Sequence, residues 1–341
     1  MRIAYLTESD SGAQWDEYAG ARASAVTDLF AWRRVVREAY GMASHFSIAL
    51  ENDRIAGALG LFELRHPVFG HYLATAVFGN DGGLHFDTGE ARDALLQEAR
   101  ALARRLGVSH LIIRTRDGDL PGFEADRRFQ TAIVDLEGDS ESAWQRLPVK
   151  TRNQVRRGMK EGFTVSTGPG QVGAFYEVFH QHMRDLGSPA HGMRYYESIL
   201  RNLGDRCEFF VVRDGANLVA GALVFWVNGT AMNYHAVALR RFNTRCPNYL
   251  LYWRMIEAAY AHGCRQFDMG RSEVGSSQLK FKANWAPREV GLCYNYDLVK
   301  LRAIPRLDPR NPRFRLAIAS WQRLPLFVTR ALGPHLISGV A

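Results

Sequence analysis

A short stretch near residue 268 combines a carboxylate, a glycine and an arginine in an order that suits proton transfer and anion binding. Residues 267–272 read FDMGRS, so Asp268 ends a predicted strand, Gly270 lets the backbone turn sharply and Arg271 follows. Open α/β sheets bind their ligands at such strand ends. We therefore take Asp268 as a candidate proton acceptor and Arg271 as a candidate substrate-binding residue. The alternative is that Asp268 only caps the turn.

Two further candidates for proton transfer lie on a predicted strand from Thr230 to Ala238. Side chains alternate across a strand, which places Tyr234 on one face and His235 on the other. Tyr234 is a candidate proton donor and His235 a candidate base. A single histidine in a strand more often has a hydrogen-bonded structural role, which stays the alternative.

The most basic segment stands near the start of the second half of the chain. Residues 144–162 read WQRLPVKTRNQVRRGMKEG, which predicts one helix. At 100° per residue its cations fall within an arc of about 160°, opposite Val155 and Met159. Closely placed guanidinium groups suit a phosphate, whereas the alternative is a solvated helix face. The cationic face consists of Lys150, Arg152, Arg156, Arg157 and Lys160; we take Lys150, Arg152 and Arg156 as candidate substrate-binding residues.

A second pair of cations follows the Asp268 stretch, in residues 280–285, which read KFKANW. Lys280 and Lys282 stand two residues apart, so in an extended segment both side chains face the same side. There they are candidates for binding a phosphate or a carboxylate; the alternative is that both are solvated.

Several reaction classes lose their best evidence. The four cysteines stand at wide spacings with no C-x-x-C, so we expect neither a zinc site nor a disulfide framework, and no metal. There is no G-x-x-x-x-G-K-[ST] and no G-x-S-x-G. No stretch approaches the ~18 apolar residues of a membrane-spanning helix, and the first residues lack the design of a signal peptide, so we expect a cytoplasmic protein.

The elements that must position these residues occur twice along the chain. Residues 45–61 and 208–225 both read as a β-hairpin, and IAGAL at 55–59 matches VAGAL at 219–223. Each hairpin is followed by a helix with a glycine at its end and then by an apolar strand: 95–106 before 111–115, and 250–262 before 265–269. Helices over 172–186 and 194–203 precede the second hairpin. We predict an α/β (α+β) fold that occurs twice, each copy a mixed sheet flanked by helices; the alternative is a chance resemblance of two α/β halves.

Length and composition agree with two folded domains and a tail. The chain has 341 residues, 47% hydrophobic and 23% charged, which excludes a disordered or collagen-like protein. We place the domains at 1–137 and 138–300. The net charge is +8, and the tail, residues 301–341, contains seven arginines and one acid. This basic, partly apolar tail either lies on an anionic membrane surface or packs onto the second domain.

Taken together and in order, these motifs resemble FemAB-type proteins. The resemblance rests on the R-x-x-[VI]-R-R/K-x-x-K-x-G pattern at 152–162, on FDMGRS at 267–272, and on the element formed by Phe281, Lys282 and Trp285. Over nearly the whole chain, including the Pro-Arg-rich tail, the sequence looks like the FemAB-like proteins associated with PEP-CTERM and exosortase loci, which accompany exopolysaccharide synthesis.

The resemblance implies a tandem pair of GNAT (N-acetyltransferase-like) domains that transfers an acyl or aminoacyl group to an amine. It also implies an acyl donor, acyl-CoA or aminoacyl-tRNA. The loop after Leu239 has no glycine and contains Pro247, so a backbone cradle for the donor's pyrophosphate is missing. Side chains of Arg240, Arg241 and Arg245 are the candidate replacement. Trp285 joins the candidate substrate-binding residues through its place in the motif.

Three functions stay open on this basis. The first is an N-acyltransferase that acts on an amino group of a phosphate-bearing envelope or exopolysaccharide precursor. The second is a FemAB-type transferase that uses aminoacyl-tRNA, with the cationic helix on the tRNA phosphates. The third is a non-catalytic subunit that binds the precursor at the inner membrane. The first half has no counterpart of Asp268, since residues 113–115 read IRT, and we expect it to be structural or acceptor-binding.

Overall fold

The computed structural model describes residues 1–7, 10, 12–116, 118–305 and 312–340. The chain divides into two compact units. Unit 1 contains Met1–Gln130, Val290–Arg306 and Ser338–Ala341, and unit 2 contains Thr131–Glu289 and Leu307–Ile337. Among the described residues, no helix has both the length and the apolar composition that crossing a bilayer requires.

Helices and strands are mixed along the described residues. The first half contains β1 (Arg2–Leu6), α1 (Ala13–Trp15), α2 (Phe30–Tyr40), β2 (Ala43–Glu51), β3 (Arg54–His66), β4 (Gly70–Ala74), β5 (Leu84–Phe86), α3 (Gly89–Leu106), β6 (Leu111–Arg116) and β7 (Glu124–Asp135). There follow α4 (Ser140–Arg146), α5 (Val149–Lys160), β8 (Thr164–Thr167), α6 (Val172–Leu186), α7 (Met193–Leu203), β9 (Cys207–Asp214), β10 (Asn217–Val227), β11 (Thr230–Ala238), α8 (Pro247–Ala261), β12 (Gln266–Glu273), α9 (Ser277–Ala283) and β13 (Arg288–Asp297). Two helices end the chain, α10 (Pro312–Arg323) and α11 (Leu326–Ile337).

In unit 1 the strand order is β1-β2-β3-β4-β6-β13, with β5 paired to β3. The pair β4–β6 is parallel, while β1–β2, β2–β3, β3–β4, β3–β5 and β6–β13 are antiparallel. Helix α3 covers the sheet with Leu95 and Leu102 packed against Leu59 and Leu73. This helix ends where predicted, because Gly107 adopts the left-handed conformation at φ 64°.

In unit 2 the strand order is β7-β12-β11-β10-β9-β8. The pair β11–β12 is parallel and the hairpin β9–β10 is antiparallel. Helix α8 packs on one face of this sheet, where Met255 joins the core. Helix α6 packs on the other, where the Phe175 ring lies 5.2 Å from that of Phe209.

The two units therefore repeat one order of elements, as predicted. Each has a hairpin (β2–β3 or β9–β10), an antiparallel third strand (β4 or β11), a helix (α3 or α8) and a strand that pairs in parallel with the third strand (β6 or β12). The fold class is confirmed: a tandem α/β fold, each copy a mixed sheet flanked by helices.

Local structure differs from the prediction in the basic segment. Residues 144–162 do not form one helix: α4 ends at Arg146, and α5 begins after Pro148, which has no N–H to continue the helical ladder. The buried face of α5 consists of Thr151, Val155 and Gly158. Met159 was expected opposite the cations, but it lies at the edge of the buried face and is 40% exposed.

The compact units also group the chain differently from the predicted domains. We placed residues 138–300 together, whereas β13 joins unit 1 from Val290 onward because it pairs with β6 from Leu292 to Asp297. Residues 306–311 of the predicted tail lie outside the described residues.

The two tail helices pack onto α6, the second of the two alternatives for the tail. Arg184 donates from Nη1 to the Leu324 carbonyl (3.2 Å), Gln322 donates to the Asp185 carbonyl (3.1 Å), and Arg330 pairs with Glu177. Leu316 and Phe327 nevertheless stay 70% and 73% exposed.

The packing of α5 on α8 gives a stability test at Gly158. A Cβ on this residue would lie 2.9 Å from the Cys246 carbonyl oxygen and 3.1 Å from Leu250 Cβ, so Gly158→Ala forces the helices apart. We expect a loss of about 1–3 kcal/mol of unfolding free energy, measured by denaturant titration.

Gly173→Ala is the matched control, since Gly173 is also helical and nothing lies within 4 Å of its added Cβ. There the better helix propensity of alanine makes the change neutral or stabilising by up to about 1 kcal/mol. Equal effects at the two glycines would contradict the close helix contact.

Candidate active site

The candidate active site lies in unit 2, where β11 and β12 separate. These parallel strands pair at Thr230–Gln266, Ala231–Phe267 and Met232–Asp268, and the pairing ends there although both strands continue. A gap between two parallel strands opens beyond Met232 and Asp268. Backbone groups that would otherwise bond across the sheet are then left for side chains or for a ligand.

A β-bulge at Tyr234 accompanies the separation. Leu223 of β10 pairs with His235 and Val224 pairs with Asn233, so the register slips at Tyr234. A bulge bends its strand and increases the local twist, which turns β11 away from β12. The Tyr234 hydroxyl forms a hydrogen bond with the Tyr195 hydroxyl of α7. Burial raises the pKa of Tyr234, so the hydroxyl stays protonated at neutral pH.

Asp268 is fully buried at the last pair before the gap, with 0% of its surface exposed. Its Oδ1 accepts hydrogen bonds from the Thr131 hydroxyl of β7 and from the Gly270 N–H (2.8 Å). The strand was expected to end here, but β12 continues to Glu273 and Gly270 accommodates the local bend with φ 79°. Asp268 therefore fixes the backbone at Gly270.

Lys282 of α9 approaches the same backbone from the other side. Its Nζ donates to the carbonyls of Gly270 (2.6 Å) and Arg271 (3.1 Å), and the side chain is buried. Burial lowers the pKa of Lys282 to about 8, while the negative charge of Asp268 opposes the shift and the positive charge of Arg271 adds to it. An ammonium has three N–H donors, and the two carbonyls use two of them.

Asn233 bridges the gap next to the last strand pair. Its Nδ2 donates to the Tyr252 hydroxyl (3.0 Å) and to the Met269 carbonyl (3.4 Å). Its Oδ1 is buried without a hydrogen-bond partner, and so is the hydroxyl of Ser272. Buried polar atoms of this kind are rare in folded proteins, and a bound ligand is one way to satisfy them.

The structure gives His235 a packing role in place of the predicted base. Its ring lies 4.4 Å from Phe179 of α6 and 6.4 Å from Phe175, among aromatic side chains. Burial lowers the pKa of His235 to about 3, so it is neutral and weakly basic at physiological pH. The sequence predicts Tyr234 and His235 on opposite faces of the strand, but their rings lie 4.4 Å apart, so both belong to one aromatic cluster beside the bulge.

The prediction that Lys280 and Lys282 face the same side is wrong, because the segment is helical rather than extended. Successive helical residues turn by 100°, so Lys280 and Lys282 point about 200° apart. Lys280 is exposed, whereas Lys282 is buried and donates to the carbonyls of Gly270 and Arg271. Trp285 is 1% exposed and its ring lies 5.7 Å from that of Tyr252, so it belongs to the core and not to a substrate-binding surface.

The arginines predicted to bind an acyl donor have different surroundings. Arg240 and Arg241 are exposed on a 3-10 turn, Arg240–Arg245, directly after β11. Arg245 is paired with Glu161 (2.5 Å) and Asp214 (2.5 Å), so it holds the end of α5 in place. The prediction of a donor contact at Arg245 loses its support.

The start of α8 does not provide a backbone cradle for a pyrophosphate. Pro247 occupies its first turn and lacks an N–H. Cys246, which precedes it, donates from Sγ to Gln154 of α5 (2.8 Å) and packs against Gly158. The site therefore fits an anionic donor only through side chains, of which Arg240 and Arg241 are exposed.

The cationic face of α5 carries the remaining predicted residues. Lys150 and Arg156 are exposed and Arg152 is half-buried. Arg152 donates to Gln145 (3.0 Å), and the Arg156 guanidinium lies 5.4 Å from the centre of the Trp144 ring. All three lie on α5, and the contacts of Arg152 and Arg156 given above are with Gln145 and Trp144 of α4.

In unit 1 the corresponding strands are β4 and β6, and the space beyond their last pair is filled. There β4 and β6 pair at Leu73–Leu111 and Ala74–Ile112, so Ile112 stands where unit 2 has Asp268. Beyond that pair, the buried Arg114 donates to the carbonyls of Ala76 (3.1 Å) and Gly79 (2.8 Å). The segment after β4 fills the space, which agrees with the expectation that the first half lacks the reactive carboxylate.

Sequence reasoning missed Thr131, Asn233 and Tyr195 in this site. Thr131 is 137 residues from Asp268, and Tyr195 lies on a helix 39 residues before Tyr234. Asn233 carried a usable signal, because an amide in an otherwise apolar buried strand needs a partner. No local pattern identifies the other two.

The burial of Lys282 predicts a titration near neutrality. We expect the Nζ of Lys282 to titrate at a pKa of about 8, measured by NMR of labelled lysine. Asp268→Asn removes the charge that favours the ammonium form, so the midpoint moves to lower pH. Lys280→Gln, a charge change on the exposed side of the same helix, leaves it in place. An unshifted midpoint in Asp268→Asn would show that the two groups are not coupled.

The sequence and the fold were compared with those of known proteins. Residues 149–282 match the family model of the acetyltransferase (GNAT) domain. Similar solved structures include FemX (14% identity, TM-score 0.64, covering 86% of this chain and 97% of that one). A second is a tandem GNAT protein from the clavulanic acid biosynthesis pathway (16% identity, TM-score 0.56, covering 86% of this chain and 97% of that one). A third is L-PGS from Bacillus licheniformis (14% identity, TM-score 0.51, covering 82% of this chain and 86% of that one). No curated protein matches the chain. The protein has a tandem GNAT fold, and residues 149–282 in its second unit match the model of the GNAT acetyltransferase domain.

Proposed function

We propose that the protein is an N-acyltransferase with its reaction centre in unit 2, in the gap between β11 and β12. The observation that carries the proposal is the network beside the gap, in which buried Asp268 fixes the Gly270 backbone and Lys282 donates to the carbonyls of Gly270 and Arg271. The match of residues 149–282 to an acetyltransferase domain supports the reaction class. The acceptor is an amino group of a phosphate-bearing envelope or exopolysaccharide precursor.

The proposed step is direct transfer between two bound substrates. The neutral amine nitrogen attacks the acyl carbonyl carbon, the bond from that carbon to the leaving sulfur or oxygen breaks, and the amine loses a proton. Tyr234 keeps its hydroxyl proton at neutral pH and is the donor to the leaving group, recovering a proton from the amine. The third N–H of Lys282 and backbone N–H groups at the gap stabilise the oxyanion.

Asp268 acts in this scheme as a positioning residue rather than as a base. It is buried, and Oδ1 already accepts two hydrogen bonds, which favours the orienting role over direct proton abstraction. Its charge also favours the protonated form of Lys282. The exposed Arg271 next to the gap is the proposed contact to the acceptor's phosphate.

The donor is proposed to be an acyl-CoA, bound through side chains. Exposed Arg240 and Arg241 follow β11 directly, at the strand end that borders the gap. Aminoacyl-tRNA is the second candidate, and the cationic face of α5 is the observation that favours it, since a nucleic acid needs an extended basic footprint. A non-catalytic subunit that binds the precursor is the third.

The reaction is tested by two variants that keep the shape of the site. We expect Lys282→Met to lower kcat by about 10²–10³-fold, the usual effect of losing one oxyanion donor. We expect Asp268→Asn to lower kcat by a similar factor, because Asp268 holds the Gly270 backbone and favours the charged form of Lys282. Transfer is measured with a UDP-linked amino sugar as acceptor and acetyl-CoA, longer acyl-CoAs and aminoacyl-tRNA as donors.

Lys280→Met is the control, because it removes an amine from the exposed side of the same helix. Unchanged turnover in Asp268→Asn would remove the proposed centre. Turnover with aminoacyl-tRNA that weakens steeply with salt would favour the second candidate, and tight acceptor binding with no turnover for any donor would favour the third.

We also propose that the tail contacts the anionic inner membrane surface. The exposed Leu316 and Phe327 lie on α10 and α11, and Arg315 and Arg323 are exposed on α10. Exposed apolar side chains next to cations are typical of a surface that lies on anionic lipid. The proposed association with exopolysaccharide synthesis rests on the FemAB-like pattern of the sequence.

Phe327→Ser tests the membrane contact in a co-sedimentation assay. We expect wild type to bind phosphatidylglycerol vesicles in preference to phosphatidylcholine vesicles, and the variant to bind at least about fivefold less, because a large apolar side chain is lost from the contact. Val274→Ser, an exposed apolar position outside the tail, serves as control. Equal loss in the two variants would contradict a contact through the tail.

A further inference from the structure

A cavity of about 350 Å³ lies in unit 2 beside α5, away from the gap between β11 and β12. None of its lining residues belongs to either of those strands. Six of its lining residues are apolar, Met159, Phe163, Val165, Phe210, Leu250 and Ala258, and the others are Thr167, Glu208 and Arg254. The volume is at the lower end of the range of small-molecule sites, and the apolar side of the cavity can contact a hydrocarbon group.

The α5 wall of this cavity continues into the cationic face. Residues 152, 156 and 159 are spaced i, i+4 and i+7, so Arg152, Arg156 and Met159 lie along one side of the helix. Met159 lines the cavity, and the two arginines follow it toward the start of α5. An apolar cavity and a pair of guanidinium groups therefore adjoin on one helix face.

The charges of this helix face are not neutralised by acidic side chains. In the part of the chain that the structure describes, no carboxylate lies within ion-pair distance of Arg152 or Arg156, and α5 itself contains no acidic residue. The buried Nε of Arg152 has no hydrogen-bond partner. By contrast, the charged residues within the cavity are paired: Arg254 with Glu257 (2.7 Å) and Glu208 with His262 (3.5 Å).

From this arrangement we propose a second ligand site, which binds a phosphate attached to a hydrocarbon chain. The chain occupies the cavity between α5, α8, β8 and β9, and the phosphate is held by Arg152 and Arg156. Guanidinium pairs bind phosphate through bidentate, charge-assisted hydrogen bonds. Met159 at the junction is a flexible, polarizable side chain that adapts to an apolar ligand. The site is independent of acyl transfer, and a membrane phospholipid or a lipid-linked phosphate carrier supplies the same chemistry.

The test is a calorimetric titration of the full chain with decyl phosphate below its micelle concentration. We expect decyl phosphate to bind at least about tenfold more tightly than inorganic phosphate or decyl maltoside, since each control lacks one half of the recognised group. Ala258→Phe, which fills the cavity, and Arg156→Gln, which removes one guanidinium, should each weaken binding by about tenfold.

Lys150→Gln is the matched control. It removes the same charge from α5, but residue 150 stands about 180° around the helix from Met159. Binding that falls equally in Lys150→Gln and Arg156→Gln, or that is unaffected by Ala258→Phe, would overturn the proposal, because the ligand would then respond only to net charge. Arg156 is exposed, so Arg156→Gln keeps the test decisive if Ala258→Phe does not fold.

Two further ligands separate the sources. Farnesyl phosphate, a single-chain monoester, represents a lipid carrier, and dihexanoyl phosphatidylglycerol represents a membrane phospholipid. The ligand that binds more tightly, and whose binding Ala258→Phe weakens as it weakens that of decyl phosphate, identifies the class. Binding of tRNA that is sensitive to Arg156→Gln, together with no binding of decyl phosphate, would overturn the proposal in favour of a nucleic-acid surface.

Discussion

Separation of two parallel strands is the constraint on which the site in unit 2 depends. Once β11 leaves β12 after the Met232–Asp268 pair, the backbone of β12 loses its neighbour on that side. A buried carbonyl without a partner costs free energy comparable to a lost hydrogen bond. The carbonyls of three consecutive residues are instead bonded by side chains: Met269 by Asn233, and Gly270 and Arg271 by Lys282. The polar side chains around the gap are thus required by the opening itself.

Unit 1 meets the same constraint without leaving an opening. Its β4–β6 pairing stops after two residue pairs, as β11–β12 stops after three, but the chain after β4 turns into the space and the Arg114 guanidinium donates to the carbonyls of Ala76 and Gly79. One copy of the fold satisfies its backbone with a neighbouring segment, and the other does so with side chains that remain beside a gap. This difference explains why a duplicated topology carries a single candidate centre.

The sequence predicted the order of elements well because that order follows from local patterns. Hairpin alternation, helical periodicity and the glycines at 107 and 263 are read within a few residues of each other. The site was predicted less well because it is made by contacts distant in sequence. Asp268 was found from its place on a strand, but the hydrogen bond from Thr131, the ion pairs of Arg245 and the burial of Trp285 depend on tertiary packing. One wrong local assignment changed the prediction for Lys280 and Lys282. In an extended strand their side chains would share a face, whereas in α9 they point to opposite sides.

A buried lysine beside a buried aspartate is an expensive arrangement for a protein whose only need is stability. Removing two charges from water carries a penalty of several kcal/mol per ion, and apolar replacements of similar volume are often as stable. Here Lys282 retains a pKa of about 8 partly because Asp268 favours its charged form. Asp268 in turn accepts a hydrogen bond from the N–H of Gly270, the residue whose carbonyl accepts one from Lys282. Each group thus depends on the other and on the conformation of Gly270. Such a pair holds a donor at a fixed place next to an opening, which is what stabilising a developing negative charge requires, and an apolar pair in the same positions would fill the fold without providing that donor.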